Sequence, residues 1–331
     1  MNSNPANPMR RTVFKAVLAA ALTGGTFGAA VAQKPKLDGP LTIVVGYAPG
    51  GSTDRAARLL GQAMQEKYGT NVVVENKPGA GGRMAAQHFI NTGANDNVLL
   101  FANPAIIVIG PLVFKQVEYN AEADFVPVAQ VTSYDFGVAV SNDVPVKTVG
   151  ELVTWLKANP QKSFFGVPAT GSLPHFFALM VGEQAGVKAE VVGYKGSAPL
   201  MNAIMGGEIP VAVDPMDTLA PLHKGGKLKL IAVSGRARSP LAPEVSTLTE
   251  GGIDLAATGW NTLFAAKSMP AAKVQMLSDA VKTVMADPAV QKRFTDAGME
   301  PVSLGQAETA SMLKAYKAQW EPVVKRSGYQ Q

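Results

Sequence analysis

Leu41-Thr42-Ile43-Val44-Val45 runs directly into Gly46-Tyr47-Ala48-Pro49-Gly50-Gly51-Ser52-Thr53-Asp54, and then into Arg55-Ala56-Ala57-Arg58-Leu59-Leu60. The first five residues form a short, β-branched, mostly apolar run, the pattern of a strand covered on both faces. Gly46 to Gly51 is a Gly/Pro-rich turn. Beyond it Ala56, Ala57, Leu60, Ala63 and Met64 share one helical face, and the pattern stops at Tyr68-Gly69. A buried strand, a glycine turn and an amphipathic helix in that order are the opening of a βαβ unit. The chain is therefore read as α/β with parallel strands.

The same alternation continues outward. Val72-Val73-Val74 and Val98-Leu99-Leu100-Phe101 read as strands, separated by a second glycine turn, Lys77 to Gly82, and a helix from Met84 to Ile90. Val138-Ala139-Val140 follows, then a helix from Val149 to Ala158 closed by Asn159-Pro160. Phe164 to Val167, Val191-Val192, Val211 to Val213 and Leu230 to Val233 are further strands, with helices after Ser172 and from Ala198 to Met205. From Pro270 the chain reads as purely helical, with Pro270 and Pro288 at first helical positions and Asp287 as an N-cap. Met312, Leu313, Tyr316, Trp320 and Val324 recur at helical spacing and read as core. A helical tail without strands must pack on a sheet built elsewhere. The expected arrangement is two lobes: residues 40–137 with 262–331, and residues 138–261, with crossovers near Tyr134 to Val140 and Gly259 to Ala266.

Ahead of the fold, Met9-Arg10-Arg11-Thr12-Val13-Phe14-Lys15 precedes an Ala-rich apolar run to Ala32. That run is short for a membrane span, and Ala30-Val31-Ala32 has the small-x-small pattern of signal peptidase sites. Residues 1–32 are read as an export signal, Tat-like from its paired arginines with a Sec reading still open, cleaved after Ala32. Its loss takes the formal net charge from +5 to +2, because it carries three basic residues and no acids. With no basic block or basic helix, nucleic acid is not an expected partner. The absence of cysteine excludes disulfides and thiol catalysis. Three scattered histidines, His88, His175 and His223, offer no metal spacing, and no cofactor motif is present.

Two strand-to-helix turns are equipped for an anion. The first is Pro49-Gly50-Gly51-Ser52-Thr53-Asp54 and the second Thr170-Gly171-Ser172 with His175 one turn on. Glycines let the backbone approach a ligand, and the free amides of a helix's first turn favour a carboxylate or phosphate. Each turn taken singly is more often an ordinary helix start, capped by Ser52 or Thr53. Asp54 has three open roles: holding its loop, receiving an ammonium group, or repelling a carboxylate. Asp214 follows a strand and reads either as a cleft residue or as a turn residue before Pro215. Trp260 reads as a pocket wall or as core.

As a set, Pro49-Gly50-Gly51-Ser52-Thr53-Asp54 with Ala57-Arg58, Val74-Glu75-Asn76-Lys77-Pro78-Gly79-Ala80-Gly81-Gly82, Asp124-Phe125-Val126-Pro127-Val128, Thr170-Gly171-Ser172 with His175, and Tyr194-Lys195-Gly196-Ser197-Ala198-Pro199 resemble the Bug receptors. The likeness continues through Gly206-Gly207-Glu208, Gly225-Gly226-Lys227-Leu228, Arg236-Ala237-Arg238-Ser239-Pro240 and Gly259-Trp260. These are extracytoplasmic solute receptors of tripartite tricarboxylate transporters. The resemblance implies a two-lobed periplasmic-binding-protein fold of type II character that closes on a small carboxylate. It implies that Pro49 to Asp54 and Thr170 to Ser172 embrace the ligand through amides, hydroxyls and water. It also implies a periplasmic monomer, without enzymatic activity, that serves the transporter's membrane components. The chain departs from the family at Ala94-Asn95-Asp96-Asn97, where relatives carry Pro-Asp-Gly, and at Ala203, where they carry Asp. Two other functions remain open on the residues alone. One is a receptor presenting its ligand to a membrane sensor kinase, and the other a periplasmic hydrolase using Ser172 and His175.

Overall fold

The computed structural model describes Met1 and residues 39–92 and 97–330; the rest of the export signal and the Ala94–Asp96 part of the departing turn lie outside these residues. The quoted stretch forms strand β1 (Leu41–Val45) and helix α1 (Ser52–Tyr68), ended by Gly69 in the left-handed region. Strand β2 (Val72–Asn76), helix α2 (Arg83–Thr92) and strand β3 (Val98–Ala102) follow, and β2 and β3 both pair parallel to β1. A π-type turn at Ala105–Ile109 leads on to β4 (Phe125–Val140), the longest strand described.

β4 carries the chain into a second sheet. That sheet holds β5 (Phe164–Val167), β6 (Glu190–Gly193), β7 (Val211–Pro215) and β8 (Lys229–Val233). Helices α3 (Val149–Ala158), α4 (Leu173–Ala185), α5 (Ser197–Met205) and α6 (Met216–Lys224) alternate with these strands. β9 (Thr258–Ala266) returns to the first sheet, and α7 (Ala271–Met285), α8 (Pro288–Asp296), β10 (Glu300–Leu304) and α9 (Gln306–Ser327) follow. The strand order is β2-β1-β3-β9-β4-β7-β5-β6, with β8 and β10 also on β4. β1 pairs parallel with β2 and β3, and β5 with β6 and β7, while β4 and β9, which run between lobes, pair antiparallel with their neighbours. A chain that leaves a sheet and comes back must pair in opposite senses at the junction. The result is a two-lobed α/β fold with two crossovers.

β4 pairs with β9 as far as Asp135 and with β7 from Phe136. On the return, the Ala257 amide still bonds to Ser234 of the second lobe, and β9 starts at Thr258. Ser234, fully buried, ties the two crossovers together. Its hydroxyl accepts from the Phe136 amide at 2.8 Å and donates to the Ala257 carbonyl.

One expectation is corrected. The segment after Pro270 is not purely helical, because Glu300-Pro301-Val302-Ser303-Leu304 forms β10 against β4, with an irregular register around Pro301. This segment has little strand propensity of its own, and proline is tolerated only where a ladder donor is not needed. Its strand character comes from the free side of β4. Pro270 is also one position earlier than expected, preceding α7 rather than opening it, whereas Pro288 and the Asp287 N-cap stand as read. Trp260 is 1% exposed and packs edge-on against Tyr316 of α9, with ring centroids 5.7 Å apart, so it is core. The α9 stripe does the same work: Tyr316 and Trp320 cover the sheet junction, and the Tyr316 hydroxyl donates to the Thr258 carbonyl at 2.7 Å.

Candidate ligand-binding site

A cavity of about 470 Å³ lies where the two sheets meet. Its walls begin where parallel strands end: Tyr47 after β1, Asn103 after β3, Pro168 after β5, Tyr194 after β6, and Pro215 closing β7. Open α/β sheets place ligands there because the carboxyl ends of strands face the amino ends of the following helices. Tyr134 and Phe136 of β4 and Asn261 of β9 complete the lining from the crossover strands.

The first turn is held rigid before any ligand arrives. Gly50 adopts φ +84°, which favours glycine, and this turns its amide onto Asp54 Oδ2 at 2.8 Å. Arg58 Nε donates to the same oxygen at 2.9 Å, and Asn76 Nδ2 donates to Oδ1 at 2.8 Å and to the Tyr47 carbonyl at 2.9 Å. Burial alone would raise the Asp54 pKa, but these donors outweigh it and hold the carboxyl below its ordinary range. Asp54 therefore organises the loop. The N-cap is Gly51, with no side-chain cap, rather than Ser52 or Thr53. The first-turn amides of α1 are left without intrahelical partners, and Ser52 and Thr53 line the cavity.

The second turn is arranged differently from the expectation. His175 is buried, and its Nδ1 accepts the Gly171 amide at 2.9 Å. The Ser172 hydroxyl donates to the Ala169 carbonyl at 2.7 Å, the His175 amide is turned back to the Ser172 carbonyl, and Pro174 has no amide to offer. Burial lowers the His175 pKa to about 4, so at neutral pH the ring is uncharged with its proton on Nε2. It stacks on Phe176 at 4.9 Å and meets Tyr329 edge-on at 4.6 Å. His175 thus clasps the turn. Ser172 and His175 share no side-chain hydrogen bond, and the nucleophile–base pair a hydrolase needs is missing from this arrangement.

A third helix start faces the same cavity. Gly196, at φ +107°, donates its amide to the Pro168 carbonyl at 2.8 Å and so joins this loop to the second turn. Ser197 opens α5, lines the cavity, and donates its hydroxyl to Asp214 Oδ1 at 2.9 Å. Asp214 is fully buried, and its Oδ2 has no partner among the described residues. Desolvation pushes its carboxyl up to about 8, against the lowering effect of the Ser197 bond and with the like charge of Asp217 adding to it.

The remaining polar groups are aimed by their neighbours. Asn103 Oδ1 accepts from the Tyr47 hydroxyl at 3.0 Å and from the Ala105 amide at 3.1 Å, which commits its oxygen and leaves its NH₂ as a donor. Burial raises the Tyr47 pKa to about 12, so it stays neutral. Asn261 donates to Thr132 Oγ1 at 2.9 Å, while its buried Oδ1 lacks a partner among the described residues. Among the lining residues Lys195, exposed at the rim, is the one charged side chain. Across the lobes, Arg55 of α1 meets Asp217 of α6 at 3.5 Å.

The two turns singled out in the sequence therefore border one cavity, through Ser52 and Thr53 on one side and Pro168, Ala169, Leu173 and Pro174 on the other. Pro49, Gly50 and Gly51 are exposed on the first loop outside the lining, and Asp54 lies buried behind it. Thr170, Gly171 and Ser172 sit beside the wall but not in it, and His175 and Asp214 are buried behind the surface. Tyr47, Asn103, Tyr134, Tyr194, Ser197 and Asn261 were not singled out as site residues. The Tyr194-Lys195-Gly196-Ser197-Ala198-Pro199 stretch had the usable signal: a strand end, then glycine, hydroxyl and proline at a helix start.

The profile of the tripartite tricarboxylate transporter family receptor matches residues 56–329. The chain belongs to this family. The receptor is 30% identical to a UPF0065 protein of Bordetella bronchiseptica, over 86% of this chain and 84% of that one. It is similar to a solved R. palustris protein with adipate, at 27% identity and a TM-score of 0.80, covering 88% of this chain and 98% of that one. It also resembles the periplasmic binding protein BugD (27% identity, TM-score 0.76, covering 89% and 99%). MatC from Rhodopseudomonas palustris with bound malate is a further likeness (26% identity, TM-score 0.74, covering 86% and 98%). The receptor is thus a Bug-type solute-binding protein of a periplasmic family and not an enzyme. Among the described residues no helix is long and apolar enough to cross a membrane.

Proposed function

We propose that the receptor is exported, cut after Ala32, and closes its lobes as a monomer on a small carboxylate that it delivers to a tripartite transporter. The observation that carries this reading is the set of helix starts facing one cavity, those of α1 and α5 above all. Preformed amide dipoles stabilise an anion without burying a counter-cation, and they need no reorganisation when it binds. The first-turn amides of α1, the Asn103 NH₂ and the hydroxyls of Ser52, Thr53 and Tyr134 supply donors. Phe136, Leu173 and the prolines supply an apolar wall for a carbon chain. The volume suits a ligand larger than a single carboxyl group. Adipate in one relative and malate in another support a dicarboxylate.

A thermal-shift screen of the mature protein against mono-, di- and tricarboxylates, aromatic acids, acidic amino acids and nicotinate tests this. A ligand at a hundred times its Kd should add about 2.7 kcal/mol and raise Tm by a few degrees. If no acid in the panel shifts Tm while an uncharged analogue does, the carboxylate reading fails. Loss of uptake of the bound acid on deleting the receptor tests delivery; sedimentation and N-terminal sequencing test the monomer and the cut site.

A further inference from the structure

Asp214 is the group in the cleft whose chemistry is least explained by shape alone. It sits at the end of β7 with no exposed surface. Among the described residues its carboxyl group has one hydrogen-bond partner, the Ser197 hydroxyl 2.9 Å from Oδ1, and Oδ2 is buried without one. Ser197 stands between this carboxyl and the cavity, at the first position of α5. A hydroxyl has one proton to donate. If it goes to Asp214, the cavity meets the lone pairs of Ser197, which repel a carboxylate. If Asp214 holds a proton and donates it to Ser197 Oγ, the hydroxyl proton is free to point at the ligand.

We propose that Asp214, as a neutral acid, sets the donor direction of Ser197 towards the ligand, so that capture of a carboxylate takes up one proton wherever Asp214 is ionised beforehand. This rests on the carboxylate reading above. The proton comes from solvent, and no other bond forms or breaks. The geometry agrees with the chemistry of burial, which already pushes this carboxyl up to about 8. Of the groups on elements packed against β7, Asp217 of α6 acts on Asp214 by like charge. α6 also carries His223 and Lys224, α4 carries His175 and Glu183, β4 carries Tyr134 and Asp135, and the loop before α5 carries Tyr194 and Lys195. β5 and α5 carry no titratable side chain apart from the Ser197 hydroxyl.

The consequence is a pH profile with a defined sign. Below about pH 8 Asp214 is already protonated, and affinity should be level. Above it, affinity should fall towards tenfold per pH unit, one proton being taken up per ligand. The test is calorimetry of the mature protein with short mono-, di- and tricarboxylates, including adipate and malate, on both sides of that pH, in buffers of different ionisation enthalpy. Asp214→Asn keeps a donor beside Ser197 but cannot titrate, so its affinity should lose the alkaline fall. Ser197→Ala should bind about five- to tenfold more weakly at neutral pH and lose the fall as well. If an acid binds and wild type and Asp214→Asn have the same alkaline slope, with no proton uptake, the proposal is wrong and the carboxylate reading stands. If no acid binds at any pH, both fail together.

Discussion

Gly259 lies opposite Tyr134 where β9 meets β4, and the tyrosine ring covers it. A Cβ built on Gly259 would stand 2.1 Å from two atoms of that ring and 2.5 Å from the hydroxyl oxygen. Carbon atoms pack at about 3.5–4.0 Å, so Gly259→Ala must move the ring by well over an ångström. The ring is not free to move sideways: Phe136 meets it edge-on at 5.7 Å, and the cavity lies on its other side. Expelling it into the cavity costs an off-rotamer side chain and lost packing, about 1–3 kcal/mol in stability. The displaced ring also occupies ligand space, so affinity for the bound acid should fall at least about tenfold, or 1.4 kcal/mol. Urea denaturation and calorimetry measure the two effects. The decisive control is the double-mutant cycle with Tyr134→Ala: without the ring, Gly259→Ala should cost no more than about 0.5 kcal/mol. If Gly259→Ala costs the same with and without Tyr134, the steric argument is refuted.

Asp54→Asn replaces one of two buried acceptor oxygens that receive Gly50, Arg58 and Asn76. Charge-assisted bonds of this kind are worth about 1.5–3 kcal/mol each; because Arg58 is half exposed, a total loss of about 2–3 kcal/mol is expected, with weaker ligand binding. A change in unfolding free energy below about 0.5 kcal/mol would remove Asp54 as the loop's organiser. Arg55→Ala breaks an interlobe pair at 3.5 Å whose arginine is half exposed. Such a pair is worth less than about 1 kcal/mol, so ligand release should quicken less than about fivefold; a loss beyond tenfold in stopped-flow measurements would put Arg55 on the ligand instead. Stability should fall as pH rises from about 5 to 7. Burial raises Asp214 to about 8 and Asp135 to about 7, so in this window the folded chain holds protons the unfolded chain has lost, at about 1.4 kcal/mol per unit for each carboxyl. His175, lowered to about 4, opposes this up to about pH 6.5, because there the unfolded state binds the extra proton. Urea midpoints that climb over this range would contradict these placements.

The sequence by itself determined the strand–turn–helix alternation, the two glycine turns, the helical stripe of α9 and the family. Each rests on local periodicity, on residues such as Gly50 whose conformation few others adopt, or on ordered motifs. Ser52 and Thr53, singled out in the sequence, line the cavity, because a helix start after a parallel strand faces the strand ends whatever else the chain does. Tertiary structure decided the rest. β10 exists because β4 has a free side to pair with, not because Glu300-Pro301-Val302-Ser303-Leu304 prefers to be extended. His175 looked like a cleft residue, but it spends its Nδ1 on the Gly171 amide. Asp54 is a loop brace because Asn76 reaches it from the end of β2 and joins Arg58, one turn along α1. Ser197 and Asp214 meet across the join between α5 and β7, and Ser234 binds two crossovers distant in sequence. Which donors are satisfied and which still face a ligand depends on how each turn packs, both on itself, as at His175, and against partners remote in the chain, as at Asn76 and Ser234. Periodicity places a residue on a face, but only packing shows what it meets there.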